Sequence, residues 1–422
     1  MVLLPMKKLL LVEDSAVVIK VIRHMCKGQD DLQFDIAKSF AEARAFIESN
    51  GSDAYRTAVV DVNLPDAPNG EVVDYTLSLS IPTIVLTGSY DEHLRDQMLE
   101  KPIVDYVVKE SRFSYEYVLK LIRRLEKNRS LKVLVVDDSP TSRKFVRVML
   151  EVHQYIALEA ENGEQALHML NQDPSIKMAI IDYNMPVMNG FELIKNIRRD
   201  VTKNNLILIG LSAHGTKGMS AKFIKNGAND FLAKPFSHEE FYCRMMHNIE
   251  AIELLESIEH AAYHDYLTGV HNRRYFYDQA ALMLAEAQVK GVPVCVALLD
   301  VDYFKAVNDQ FGHEAGDLAL IEVSRLIEKA FGRFLFARVG GEEFAVLMSG
   351  LSLEKAELLA ENFRELVEDS IIMLGGTSTS LTVSIGLVVD QQHSLDELVN
   401  EADKLLYMAK DLGRNRVEVS AC

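Results

Sequence analysis

The stretch "LKVLVVDDSPTS" (residues 131–142) repeats an earlier one, "KKLLLVEDSAVV" (7–18), and the pair governs the reading of more than half the chain. Each is a Leu/Val-rich run that ends in two carboxylates and a serine, the pattern of a strand buried on both faces with a polar end at a crevice. The echo continues downstream. "AVVDVNLPDAPNG" (58–70) returns as "AIIDYNMPVMNG" (179–190), "IVLTGS" (84–89) as "IGLSAH" (209–214), and "DYVVKE" (105–110) as "DFLAKP" (230–235). Segments of helical periodicity separate the blocks. Buried strands alternating with amphipathic helices predict α/β domains with parallel sheets, whose binding crevice lies at the carboxyl ends of the strands.

Those ends carry Glu13, Asp14, Asp61, Thr87 and Lys109 in the first copy, and Asp137, Asp138, Asp182, Ser212 and Lys234 in the second. Three converging carboxylates repel one another unless a divalent cation neutralises them. A neighbouring hydroxyl and ammonium suit a phosphoryl group carried by the central aspartate. The constellation resembles the receiver domain of two-component response regulators, twice over, across residues 6–127 and 130–248. The resemblance implies flavodoxin-like folds, Mg²⁺ held by Glu13 and Asp14 or by Asp137 and Asp138, and phosphorylation at Asp61 and Asp182. Thr87, Lys109, Ser212 and Lys234 would form the receiver switch, with Tyr106 and Phe231 as switching aromatics. The second copy has a Lys-Pro step at Lys234, whereas Lys109 is followed by Glu110 and the loop after Asp61 is one residue longer. These differences favour Asp182 as phosphoacceptor. A sensor histidine kinase or phosphotransfer protein is the implied partner.

Residues 238–262 read as a linker helix. Ile249, Ile252, Leu255, Ile258 and Ala262 recur at helical spacing. The stripe fits either the last helix of the second receiver or a signalling helix paired across a dimer.

The third segment contains "FARVGGEEFAV" (336–346), in which two glycines join two alternating apolar runs. That pattern predicts a hairpin, with glycine supplying positive φ. Glu342 and Glu343 are adjacent like charges on this turn and call for a cation. With "DYLTGVHNRRYF" (265–276), "VALLDVDYFKAVNDQFGHEAGD" (296–317), "TVSIGLVV" (382–389) and "ADKLLYMAKDLGRNR" (402–416), the segment is identified as a member of the GGDEF family of diguanylate cyclases over residues 262–420. The resemblance implies an α+β, palm-like nucleotidyl cyclase domain. The receiver–receiver–GGDEF order looks like that of the PleD-type response regulators.

Family roles carry over residue by residue. Asp300, the backbone carbonyl of Val301 and Glu342 would hold Mg²⁺ (or Mn²⁺), with Glu342, Glu343 and Lys305 as catalytic groups. Asn308, His313 and Asp317 would contact GTP, with Asn308 and Asp317 reading guanine. Lys410 and Arg414, at i and i+4, would face its phosphates. Gly340 and Gly341 would let the backbone approach the nucleotide. Asp302, Asp265 and Arg274 read as structural residues.

Composition excludes other classes. A formal charge of −17 argues against nucleic-acid binding by a basic surface. No run of 18 apolar residues offers a membrane span, and the N-terminal "MVLLPMKKLLLVEDS" reads as a strand rather than a signal peptide. Four dispersed cysteines fit a reducing, cytoplasmic setting. The expected function is a phosphorylation-regulated cyclase that condenses two GTP into cyclic di-GMP as a homodimer. The alternative is a non-catalytic adaptor that binds GTP or cyclic di-GMP and relays receiver state to a protein partner. The Arg-x-x-Asp product-binding motif of many such cyclases is missing: Phe331 and Phe334 occupy its positions, and the neighbouring Arg333 is expected on a strand, pointing away from Phe334. Product inhibition through that site is therefore not expected.

Overall fold

The two copies of the repeat fold into two sheets of one topology. The computed structural model describes residues 8–26, 33–88, 91–200, 203–213, 218–374, 377–390 and 393–421. The expected start of the first receiver at residue 6, and Ser89 and His214 of the repeated blocks, lie outside the described residues. The chain forms two units, Met1–Ile252 and Glu253–Cys422.

In the first sheet, β1 (Lys8–Val12), β2 (Phe34–Ala37), β3 (Tyr55–Asp61), β4 (Thr83–Thr87) and β5 (Asp105–Val108) run parallel in the order β2-β1-β3-β4-β5. Around it stand α1 (Ala16–Met25), α2 (Phe40–Asn50), α3 (Glu71–Ser78), α4 (Glu92–Leu99) and α5 (Arg112–Asn128). The second sheet repeats the order with β6 (Lys132–Val136), β7 (Ile156–Ala160), β8 (Ile176–Asp182), β9 (Ile207–Ser212) and β10 (Asp230–Ala233). Its helices are α6 (Pro140–Val152), α7 (Gly163–Gln172), α8 (Gly190–Arg198), α9 (Met219–Lys225) and α10 (His238–Tyr263). The 2-1-3-4-5 order is flavodoxin-like.

The repeated serine explains how each acidic pair is presented. Ser15 and Ser139 are N-caps, accepting from the backbone N–H of Val18 and of Ser142, so the chain turns from strand to helix directly after the carboxylates. α10 behaves differently along its length. Phe241, Tyr242, Met245 and Ile249 are buried, whereas Leu254, Leu255 and Ile258 are exposed. Its first half is thus a packed receiver helix, and its second half carries an uncovered apolar stripe.

The second unit holds a mixed sheet. β11 (Val294–Val301), β12 (Leu335–Arg338), β13 (Glu343–Ser349), β16 (Val383–Asp390) and β17 (Val417–Ala421) pair in the order β12-β13-β11-β16-β17, beside a small ladder of β14 (Ile372–Leu374) and β15 (Thr377–Thr379). α11 (Arg273–Lys290), α12 (Phe304–Phe311), α13 (His313–Phe331), α14 (Leu353–Glu368) and α15 (Leu395–Asp411) complete it. Alternation along β13 fills two cores: Phe344, Val346 and Met348 pack with Phe331 and Phe363, and Ala345 and Leu347 with Phe276 and Leu405. Among the described residues, no helix is long and apolar enough to cross a membrane.

Two expectations are corrected here. The hairpin forms, but neither Gly340 nor Gly341 is among the left-handed glycines. A Cβ on Gly340 would meet only the carboxylate end of the exposed Glu343 side chain at 2.4 Å, and Gly341 faces open space. Arg333 lies in the turn before β12 rather than on a strand, and its guanidinium stacks 4.6 Å from the centre of the Phe334 ring. With Phe331 fully buried, neither of the two motif positions carries a charge.

Candidate active site

β11 delivers the central carboxylate. It pairs antiparallel with β13, and Asp300 lies opposite Glu343; one step further, the Val301 N–H donates to the Glu342 carbonyl at 3.3 Å. Asp300 is buried, Glu342 half-buried and Glu343 exposed. Burial pushes the Asp300 carboxyl up; Lys410 draws it down, and the negative charges of Glu342 and Glu343 push it up again. Glu342 and Glu343 thus act on Asp300 at the strand end. The cation that the structure supplies is Lys410, whose Nζ is 2.7 Å from Asp300 Oδ2.

A second cation holds the hairpin itself. The Arg338 guanidinium donates to the Gly341 carbonyl at 3.0 and 2.6 Å, and to Asp265 Oδ1 at 2.8 Å. Burial works against the Asp265 charge, but hydrogen bonds from Thr268 and Arg338 outweigh it and hold the carboxyl below its usual range. Arg338 escaped the sequence reading. Its only signal is an arginine flanking the turn, with a lone aspartate 73 residues earlier. Asp302 is a structural acid: it accepts from Thr382 Oγ1 at 2.8 Å, Ser384 Oγ at 2.7 Å and the Asn415 N–H at 3.0 Å. Arg274 is exposed, 3.9 Å from Asp278.

α12 and α13 carry the proposed base-reading residues. Asn308 is on α12, and exposed His313 and Asp317 lie one turn apart at the start of α13. Gly316, beside Asp317, makes the junction possible: a Cβ there would sit 1.9 Å from Asn308 Oδ1 and 3.2 Å from Phe304. Gly316 also escaped the sequence reading, since a glycine inside a helix carries no mark of what it touches. Lys305 is exposed on the first turn of α12.

The expected i, i+4 pairing of Lys410 and Arg414 on one helix is corrected. α15 ends at Asp411, and Gly413, Arg414 and Asn415 all have positive φ, so Arg414 stands on a left-handed turn beyond the helix. Its guanidinium lies 4.6 Å from the centre of the Tyr303 ring.

The receiver crevices differ. In the first, Lys109 Nζ is 2.7 Å from Glu13 Oε2 and 2.5 Å from Asp61 Oδ2. Glu13, Asp14 and Asp61 each offer an oxygen within 4.8 Å of the others, the one such acidic group among the described residues. Burial pushes the Glu13 carboxyl up against the pull of Lys109. Burial also opposes the Lys109 charge, but its two carboxylate partners outweigh it and raise the ammonium. In the second, Lys234 Nζ is 2.7 Å from both Asp137 and Asp182 and 2.9 Å from Ser142 Oγ, and Asp138 is exposed. Burial raises the Asp182 carboxyl against the pull of Lys234. Thr87 and Ser212 are buried at the ends of β4 and β9, and their carbonyls accept from the backbone N–H of Lys109 and of Lys234. Tyr106 is buried and Phe231 half-buried. The oxygen-only group of Glu13, Asp14 and Asp61 matches a hard divalent cation rather than zinc or copper.

Comparison with known proteins recognises the second copy and the third segment. The family model for the diguanylate cyclase GGDEF domain matches residues 262–416, and that for the response regulator receiver domain matches residues 133–245. The response regulator PleD of Caulobacter vibrioides is 30% identical over 298 residues, 68% of this chain and 65% of PleD. The protein named probable diguanylate cyclase DgcT of Escherichia coli is 40% identical over 184 residues, 42% of this chain and 39% of its own length. A solved structure described as a two-component system response regulator/GGDEF domain protein is 38% identical with a TM-score of 0.53, covering 58% of this chain and 99% of that one. The chain thus spans about two thirds or less of the curated relatives it matches. With flavodoxin-like receivers preceding a GGEEF hairpin docked on an acidic strand end, the chain belongs to the receiver–GGDEF family of response regulators.

Proposed function

We propose that the protein is a diguanylate cyclase, regulated by receiver phosphorylation and active as a homodimer. The observation that carries the reading is the register of β11 against the hairpin, which sets Asp300 opposite Glu343 and beside Glu342. In the reaction, the 3′-hydroxyl oxygen of each GTP attacks the α-phosphorus of the other. Each α–β phosphoanhydride bond breaks, two pyrophosphates leave, and each hydroxyl proton passes to a base. A hard divalent cation bound with the triphosphate would neutralise its charge and polarise the α-phosphate.

The residues divide the remaining work. Asp300, the Val301 carbonyl and Glu342 would hold the cation, with Mg²⁺ as the expected ion and Mn²⁺ as an alternative. Glu342 or Glu343 would accept the hydroxyl proton. Lys305, Lys410 and Arg414 would bind phosphate oxygens; Lys410, now paired with Asp300, is within reach of the same centre. Asn308 and Asp317 would read the guanine edge, where an aspartate accepting N1–H and N2–H₂ discriminates against adenine, and His313 would lie beside them. One domain holds one GTP, so two must face each other. The exposed stripe of Leu254, Leu255 and Ile258 on α10 supports pairing of two chains there.

Purified protein incubated with GTP and Mg²⁺ should yield cyclic di-GMP and pyrophosphate in a ratio of one to two. Absence of product, even with beryllofluoride as a phosphoryl mimic, would overturn this reading and favour the adaptor.

A further inference from the structure

Tyr303 has a conformation that its burial does not explain. It immediately follows Asp302 and adopts φ 53° and ψ 26°, a left-handed backbone rare for a bulky side chain. Its side chain is 65% exposed, so no core contact compels the strain. Strained residues persist where surrounding structure over-determines them, commonly at functional sites. Here a second strained segment, Arg414 and Asn415 with φ of 65° and 48°, meets the first. The two are tied through Asp302, which accepts the Asn415 N–H at 3.0 Å and is itself anchored by Thr382 and Ser384. The result is a cation–π contact, with the Arg414 guanidinium carbon 4.6 Å from the centre of the Tyr303 ring.

That contact bears on chemistry because of where it stands. Lys410, in the last turn of α15, reaches Asp300, and Arg414 Nη1 donates to the Lys410 carbonyl, so Arg414 belongs to the same end of the sheet. A guanidinium packed over an aromatic ring still has N–H groups to offer phosphate oxygens. Here Nη1 is engaged with the Lys410 carbonyl at 3.5 Å, which leaves the remaining N–H groups for a ligand. An unsupported arginine on a loop would have to be ordered each time substrate binds, at a cost in affinity.

We propose that Tyr303 is a positioning residue for the triphosphate: its ring holds the Arg414 guanidinium in place for the phosphates of GTP. The inference rests on the cyclase reading for its substrate. It assigns Tyr303 no contact with the reacting atoms.

The test combines steady-state kinetics with GTP affinity measured by equilibrium dialysis in Mg²⁺, on the full chain. Tyr303→Leu, which keeps bulk but loses the π face, should raise both KM and Kd for GTP about fivefold to tenfold, the scale of a partly desolvated cation–π contact. Its kcat should stay within about threefold of the parent, because the contact is made equally in ground and transition states. Tyr303→Phe should restore both constants to within about twofold, since the ring and not the hydroxyl is used. Tyr303→Gly relieves the left-handed strain yet should bind GTP as poorly as the Leu variant. In an Arg414→Ala background, Tyr303→Leu should change nothing further. The proposal is overturned by a Leu variant with parental affinity, by a Phe variant as impaired as Leu, or by an undiminished loss in the Arg414→Ala background. A parent that binds GTP without making cyclic di-GMP would sink the cyclase reading, while the affinity series would still decide the role of Tyr303. A parent that binds no GTP overturns both.

Discussion

Lys410 Nζ lies 2.7 Å from Asp300 Oδ2, joining the last turn of α15 to the end of β11 across 110 residues of sequence. The pair offsets the repulsion of three acids around a buried strand end, where burial already disfavours the Asp300 charge. Asp300→Asn and Glu342→Gln should each lower turnover by at least about 100-fold, the scale expected when charge stabilisation of phosphoryl transfer is lost. Initial rates of cyclic di-GMP formation check this, and a variant within threefold of the parent would remove that residue from the metal site. Thermal unfolding of Asp300→Asn should be no lower than that of the parent, since a buried carboxylate has been neutralised.

Gly316→Ala should damage substrate recognition more than stability. The added Cβ would sit 1.9 Å from Asn308 Oδ1, so Asn308 must move away from its place against the start of α13. We expect KM for GTP to rise by about tenfold or more and the preference for GTP over ATP to fall, as when a hydrogen-bonding site loses its alignment. An unchanged KM would show that Asn308 does not read the base from this position.

Receiver control is testable at the two aspartates. Beryllofluoride should shift the protein from monomer toward dimer in sedimentation velocity and raise the cyclase rate. Asp61→Asn and Asp182→Asn should each weaken the response. The tighter acidic grouping of Glu13, Asp14 and Asp61 leads us to expect a clear loss from Asp14→Asn as well, through weaker divalent binding. If neither aspartate variant alters activation, phosphorylation is not the switch.

His153 should give the first unit an acid-sensitive stability. This residue, at the end of α6, is buried at 3% exposure, stacks on Tyr242 with ring centres 3.2 Å apart, and donates a ring N–H to the Val104 carbonyl at 2.9 Å. Burial pushes its pKa down to about 3, from an ordinary 6.5. The charged form is thus disfavoured in the fold. Its contribution is complete above about pH 6.5 and is lost as pH falls toward 3, at up to about 1.4 kcal/mol per pH unit. Urea unfolding at pH 7 and pH 5 should therefore differ by about 2 kcal/mol more in the parent than in His153→Gln. Equal slopes would show that His153 does not govern the acid limb.

Product inhibition through the corner before β12 should be weak or absent. Phe331 is fully buried there, and Arg333 stacks on Phe334 with no aspartate three residues on. Such a corner lacks the paired charges that would clasp a cyclic dinucleotide. Titrating cyclic di-GMP into the steady-state assay checks this. Half-inhibition at low micromolar product, noncompetitive with GTP, would reveal a product site elsewhere on the chain.

Local residue chemistry alone carried the outline of this protein. The runs ending at Asp14 and Asp138 announce buried strands because uninterrupted Leu/Val stretches suit no other element at that length, and their repetition announces two domains of one kind. Gly340 and Gly341 between alternating runs announce a hairpin, and the order of the acidic, glycine and basic motifs announces the family. These signals are local, set by periodicity and residue type within a few positions. What they lacked was distance between parts of the chain remote in sequence. Only the packed structure brings Lys410 to Asp300, clips Arg338 onto Gly341, fits Gly316 against Asn308 and carries Arg414 off its helix onto Tyr303. Strand register, helix termination and the space around a missing Cβ decide each of these contacts. All three emerge when remote segments pack together, and none is written in the residues on either side.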